Sequence, residues 1–213
     1  MADRSPVLRI ITSAARESLK PLGLAQRGRS RLWIDDHEWW LGVVEFTPPR
    51  TVGSGLYVGA MWLWHDADHL AFHVDAVRTG PQPFRTEDQF TPLALELGRQ
   101  AARNVTALRE KFPALPEVAR YLTSRPVRRG VLWDSFDAGI AAALTGDPAT
   151  ARDYFERVLR EDPLTPWMVQ AQEKARELHV IAPDREAVTA WVTRAVGSCR
   201  SKLGLDPVTL AIS

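Results

Sequence analysis

The chain of 213 residues is 45% hydrophobic and balances 27 Lys and Arg against 26 Asp and Glu. It is long enough to bury a sizeable core, and it lacks the basic excess that supplies most nucleic-acid affinity, so a general nucleic-acid partner is not expected. Cys199 is the only cysteine, which excludes an intramolecular disulfide and a zinc site built on several thiolates, and no run approaches the roughly 18 apolar residues of a membrane span.

The N-terminal stretch also lacks the long apolar core of a signal peptide, so a cytoplasmic location is expected. Residues 5 to 20 place Val7, Leu8, Ile11, Ala14, Ala15 and Leu19 at helical spacing, and Pro21 stops the pattern. This predicts an amphipathic first helix. Two β-rich runs follow, Arg31 to Ile34 and Glu38 to Phe46, flanking Asp35, Asp36 and His37 as a turn. A third strand is expected from Gly55 to Trp64 and a fourth from His69 to Ala76, which makes a four-stranded antiparallel meander. Alternation points Leu56, Val58, Ala60, Trp62 and Trp64 one way and Tyr57, Gly59, Met61 and Leu63 the other. The middle strands are apolar on both faces, so each face needs a cover. The first helix is expected on one face and the long helix after the sheet on the other, unless a concave site replaces part of a cover.

Residues 78 to 90 read as a Pro- and Gly-containing connector that ends in helix-start chemistry, with Thr91 as N-cap, Pro92 at the first position and Phe90 stapling to Leu95. That helix is expected to run to Phe112, with a shorter one beginning near Pro116. The polar stretch RPVRRG from Arg125 is the candidate boundary between an α+β sheet domain, 1–124, and a helical region, 125–213.

From Leu132 to Pro163 two amphipathic helices flank a turn in which Gly146 ends the first, Asp147 caps the second and Pro148 takes its first position. Gly139, Ala142 and Ala151 let the helices approach, while Phe136, Ile140, Leu144, Phe155, Val158 and Leu159 fill the seam. This hairpin, about 132–165, resembles one tetratricopeptide unit: Gly139, Ala151, Phe155, Val158 and Pro163 fall at that repeat's small, small, aromatic, small and proline positions. It departs where Ser135 and Ala142 replace the expected large Trp and Tyr. Helices over about 166–180 and 184–200 either form a degenerate second unit or leave the hairpin leaning on the sheet domain, with Trp133, Trp167 and Trp191 as packing anchors.

The amino-terminal segments LKPLGLAQRGRSRLW, the EFTPP loop and SGLYVGAMWLW resemble the bacterial family called domain of unknown function 4304, over about residues 5–112. The resemblance implies a fold of sheet plus helices and carries over no functional residues.

His65, His69 and His73 stand four apart, but in a strand His69 and His73 would lie about 13 Å apart, too far to share an ion. They read as polar-face histidines, and no metal or cofactor is expected. Arg27, Arg29 and Arg31 alternate with Gly28 and Ser30, so an extended backbone would present three guanidinium groups on one edge, suited either to an anion or to pairing with Glu38 or Glu45. Arg125, Arg128 and Arg129 read as a solvated loop. Glu45 lies among Leu41, Val43 and Phe46, and a carboxylate buried there marks either a site or a salt bridge with Arg29 or Arg78. Five tryptophans fall between Trp33 and Trp64, more than one small sheet face needs, which suggests that one or two line an exposed groove with Tyr57 and an arginine. No phosphate loop, nucleophile elbow or other enzyme motif is present.

These residues favour a non-enzymatic interaction module whose partner is another protein, with Arg29, Trp33, Trp40, Glu45, Tyr57 and Arg78 as the candidate surface. The alternatives are an enzyme or small-ligand receptor with a pocket beside the sheet, and nucleic-acid or anion binding through the Arg27 to Arg31 row.

Overall fold

The computed structural model describes residues 5–48, 52–126 and 131–210. Residues 49–51, of which Pro49 ends the expected EFTPP loop, and part of the expected boundary, 127–130 with Arg128 and Arg129, lie outside the described residues. The fold is α+β. Internal contacts divide the chain into two compact units, Met1–Glu110 with Val196–Val208, and Lys111–Ala195 with Thr209–Ser213.

The first unit opens with helix α1 (Pro6–Leu19), whose apolar stripe is buried as its spacing requires, and a single 3-10 turn at Lys20–Leu22 takes up Pro21. Among the described residues five strands, rather than four, then form one antiparallel sheet: β1 (Ala25–Gln26), β2 (Leu32–His37), β3 (Trp40–Glu45), β4 (Gly53–Trp62) and β5 (Val74–Pro83), in sequential order. The additional strand, β1, pairs only Ala25 with Ile34 and Gln26 with Trp33, and two residues are too few to show an alternation.

Three boundaries differ from the sequence expectation. The β2–β3 turn falls at Glu38 and Trp39, so Asp35, Asp36 and His37 belong to the strand; Glu38 takes the positive φ (64°) that the tight connection needs. The last strand is Val74–Pro83 rather than His69 to Ala76. Its prolines are tolerated because β5 is an edge, where a missing N–H removes no ladder bond. Helix α2 (Glu87–Lys111) starts one turn before Thr91: Thr86 Oγ1 accepts from the Gln89 N–H at 3.2 Å, and Pro92 sits inside the helix.

Residues opposite one another share a face of the sheet. One face carries Trp33, Asp35, Gly42, Val44, Leu56, Val58, Ala60 and Thr79; the other carries Leu32, Ile34, Val43, Glu45, Tyr57 and Arg78. Helices α1 and α2 lie side by side, so close that a Cβ on Gly98 would come within 2.9 Å of the Ala14 carbonyl oxygen. Helix α2 reaches the first face through Thr79 Oγ1, which donates to Gln100 Oε1, and through Arg109, which donates to Asp35. One helix per face was the expectation; instead the second face is covered partly by the segment between Asp66 and His73. Phe72 stacks on Tyr57 at 3.7 Å, and the Ala71 N–H points to Met61 Sδ. That segment is therefore not the outer strand its alternation suggested.

The second unit contains α3 (Leu115–Ser124), α4 (Leu132–Leu144), α5 (Pro148–Arg160), α6 (Pro166–Ile181) and most of α7 (Arg185–Leu203). The α4–α5 turn is built as its residues dictate: Gly146 has φ 83°, and the Asp147 side chain accepts from the Thr150 N–H at 3.1 Å. Gln172 of α6 donates to the Val158 and Glu161 carbonyls at the end of α5, and Arg185 donates to Leu144 O at 2.8 Å. Trp133 stacks on Trp167 at 5.5 Å, and Trp191 donates to Glu177. No helix among the described residues is long and apolar enough to cross a membrane.

Candidate functional site

A cleft of about 670 Å³ lies in the first unit at the β1–β2 end of the sheet. Its wall is Leu22, Gly23, Ala25 to Gly28, the strand residues Ile34 to His37, Arg109, and Leu203–Asp206 at the end of α7 and just beyond it. The β1–β2 hairpin shapes one side. Arg27 donates its N–H to Leu32 O at 2.9 Å and accepts from the Ser30 N–H at 3.1 Å and from Ser30 Oγ at 2.7 Å, with Gly28 at φ 57° in the bend.

Asp35 organises the floor. The residue is 5% exposed, and its carboxylate accepts Arg109 Nε at 2.8 Å and Nη2 at 2.5 Å, a two-pronged contact. Arg109 Nη2 also donates to Leu22 O at 2.7 Å, which ties α2 to the turn after α1. His37 Nε2 meets Asp35 Oδ2 at 2.8 Å, and its ring lies flat on Trp40, with centroids 4.1 Å apart and planes within 7°. A carboxylate only accepts, so Nε2 carries the hydrogen, and in the neutral ring Nδ1 becomes the acceptor. Burial works to raise the Asp35 pKa, but the hydrogen bonds from Arg109 and His37 outweigh it and hold the carboxyl below its ordinary value.

Asp36 points to the opposite face, where Arg200, only 2% exposed, grips it with Nη1 at 2.8 Å and Nη2 at 2.7 Å. The same guanidinium donates to Glu38 O and Asp206 O, so one side chain clamps the β2–β3 turn to the segment beyond α7. The Asp36 hydrogen bond is the main reason the Arg200 pKa lies above its ordinary value.

Of the residues singled out from the sequence, only Glu45, Tyr57 and Arg78 are brought together. Glu45, Tyr57 and Arg78 stand opposite one another on β3, β4 and β5, a cross-strand row on the face away from Trp33. Glu45 is half-buried at the end of its strand rather than enclosed. Tyr57 donates its hydroxyl to Asp75, with Phe72 stacked on its ring and the Arg78 guanidinium 5.1 Å from the ring centroid. Burial, then the bond to Asp75, pushes the Tyr57 pKa up to about 12. Trp33 and Trp40 are 1% and 2% exposed, and Trp62 and Trp64 are fully buried, so the expected tryptophan-lined groove is instead core. Half-buried Trp39 stacks on Trp62 and Trp64 at 5.9 and 5.5 Å.

Arg27, Arg29 and Arg31 do not form an extended row. Gly28 and Arg29 make the turn, Arg29 is exposed away from the cleft, and Arg31 Nη1 is aimed at Gly53 O, 3.4 Å away. The strand argument that separated the histidines also fails, because residues 66–73 are not a strand: the His65 and His73 rings stack at 3.9 Å. His73 Nδ1 accepts from the Trp62 N–H, and burial holds its pKa well below the ordinary value. Among the described residues no group of three or more His, Cys, Asp and Glu side chains is placed to hold a metal ion.

Sequence reasoning missed Asp35, Asp36 and His37 as site residues by treating them as turn formers. Their available signal was the two-residue spacing of Asp35 and His37, which shares a strand face. Arg109 and Arg200 gave no local signal, since their carboxylate partners lie 74 and 164 residues away. Compared with protein-family models, curated proteins and solved structures, the chain gives no match.

Proposed function

We propose that the sheet unit is a receptor for a small polar ligand, held in the cleft beside β1 and β2. One observation carries this reading: the His37 imidazole, oriented on one side by Asp35 and on its flat face by Trp40, stands in the wall of a cleft large enough for a metabolite-sized molecule. An imidazole fixed by a carboxylate is a ready hydrogen-bonding and acid–base group, so chemistry on the bound ligand fits the same site. The stretch LKPLGLAQRGRSRLW, on which the resemblance to domain of unknown function 4304 rests, supplies Leu22, Gly23 and Ala25 to Gly28 of the wall. Distant membership of that family is part of the proposal. Amide NMR with a set of small polar fragments tests it. Saturable shifts at Gly28, His37 and Gly204, weakened in His37→Phe, are expected; a fragment set that moves none of these amides refutes the receptor.

A second reading belongs to the helical unit. The α4–α5 pair is proposed to be a tetratricopeptide-like hairpin, supported by Gly139 packed against Phe155 and by the turn through Gly146, Asp147 and Pro148. Leu164, Trp167, Val169 and Val180 are exposed on or beside α6, which suits a protein partner in the absence of catalytic motifs. Affinity capture from the native host with the wild-type chain and Trp167→Ala tests this. A partner retained by the first and lost by the second supports it; equal recovery counts against it.

A further inference from the structure

Resting on the cleft reading above, we infer that the cleft selects a compact anion, a carboxylate or phosphate carried by a small molecule, with Arg27 as its charged contact. The argument is one of charge already committed. Asp35 is neutralised by Arg109 and Asp36 by Arg200, both through paired hydrogen bonds. Arg200 Nε donates to the backbone carbonyl of Asp206, whose carboxylate is left as a further negative charge in the cleft lining, set against Arg27. Of the two arginines that line the cleft, Arg109 is paired with Asp35 and Arg27 makes no side-chain contact with a carboxylate among the described residues.

The rest of Arg27 is fixed. Its backbone N–H and carbonyl are both engaged across the β1–β2 hairpin, so the side chain projects from a set point in the wall. Its Nη1 is enclosed and has no hydrogen-bond partner among the described residues. Arg27 as a whole is half-buried and lines the cleft, and a guanidinium presents five N–H donors in a planar fork and accepts nothing, so an oxygen anion in the cleft suits its remaining donors. Gly28, next in the chain and without a side chain, leaves the adjoining backbone open to close approach. His37, whose Nε2–H is committed to Asp35, can donate to an anion from Nδ1 only in its cationic form.

The test is a titration of the full chain, followed by amide NMR at constant ionic strength, with sodium phosphate and separately with sodium acetate. Saturable shifts at Gly28 and His37 are expected. They should weaken about tenfold or more in Arg27→Gln, since a charge-assisted contact is lost. Arg27→Lys should fall between the two, and Arg99→Gln, on the outer surface of α2, should match wild type. The stronger of the two anions identifies the group recognised. Shifts that fail to saturate, or that persist unchanged in Arg27→Gln, overturn the inference. Neutral polar fragments that saturate the same amides while both anions fail would remove the anion and leave the cleft reading standing. Failure of every probe removes both.

Discussion

Replacing Gly139 by Ala separates packing from helix propensity, because the two effects carry opposite signs. In an exposed helix interior the change favours folding by about 1 kcal/mol. Here a Cβ on Gly139 would lie 2.6 Å from Phe155 Cε1 and 2.8 Å from Cδ1. Carbon atoms in good contact sit about 3.5–4.0 Å apart, so the ring would have to retreat by roughly 1 Å. Phe155 is fully buried and packed edge-on against Phe136, with centroids 6.5 Å apart, and the α4–α5 turn holds the two backbones together. Overpacking of this kind costs about 1–3 kcal/mol, which leaves a net destabilisation of about 1 kcal/mol after the propensity gain. The two compact units make a single global transition an unsafe readout, so urea unfolding should be paired with native-state hydrogen exchange of the α4 and α5 amides. Phe155→Leu in the same background should relieve part of the loss, with a coupling of about 0.5 kcal/mol or more between the sites. A Gly139→Ala variant that gains about 1 kcal/mol, with faster exchange nowhere in the hairpin, refutes the close-packing argument.

Asp36→Ala should destabilise the first unit by about 1–3 kcal/mol, because it removes two charge-assisted hydrogen bonds from the enclosed Arg200 while the contacts to the Glu38 and Asp206 carbonyls remain; denaturant unfolding checks this, and a loss below about 0.5 kcal/mol would place the pair among ordinary surface ion pairs. Tyr57 has a folded pKa raised to about 12, so its contribution is fully present below the unfolded value of about 10 and is lost as pH rises from there through about 12. Stability measured across that window should therefore fall less steeply in Tyr57→Phe than in wild type. Asp35 has the opposite sign: its folded pKa is depressed, so its contribution is present above the ordinary carboxylate value of about 4 and disappears as pH falls through the folded one. An acid-unfolding curve for Asp35→Asn should be flatter in that range, and an unchanged slope would deny the Arg109–His37 cluster its role.

Which features the chain announced locally is clear from particular residues. The apolar stripe of α1, the Gly146–Asp147–Pro148 turn, the seam residues Phe136 and Phe155, and the antiparallel meander all followed from spacing and capping, which depend on near neighbours. The candidate site was legible only in its ingredients. The sequence presents Arg27 as part of an arginine row and His37 as a turn residue, but not the cleft they share.

Tertiary structure decided the rest, for a physical reason in each case. An edge strand accepts prolines that a central strand would reject, so β5 could occupy a stretch that reads as a connector. The alternation from His69 onward reflects a segment lying across Tyr57 and Met61, since side chains folded over a sheet meet the same apolar surface as those within it. Asp35 and Asp36 gain their meaning from Arg109 and Arg200, whose approach depends on where α2 and α7 run. Periodicity is a property of neighbours along the chain, whereas charge pairing and enclosure are properties of neighbours in space.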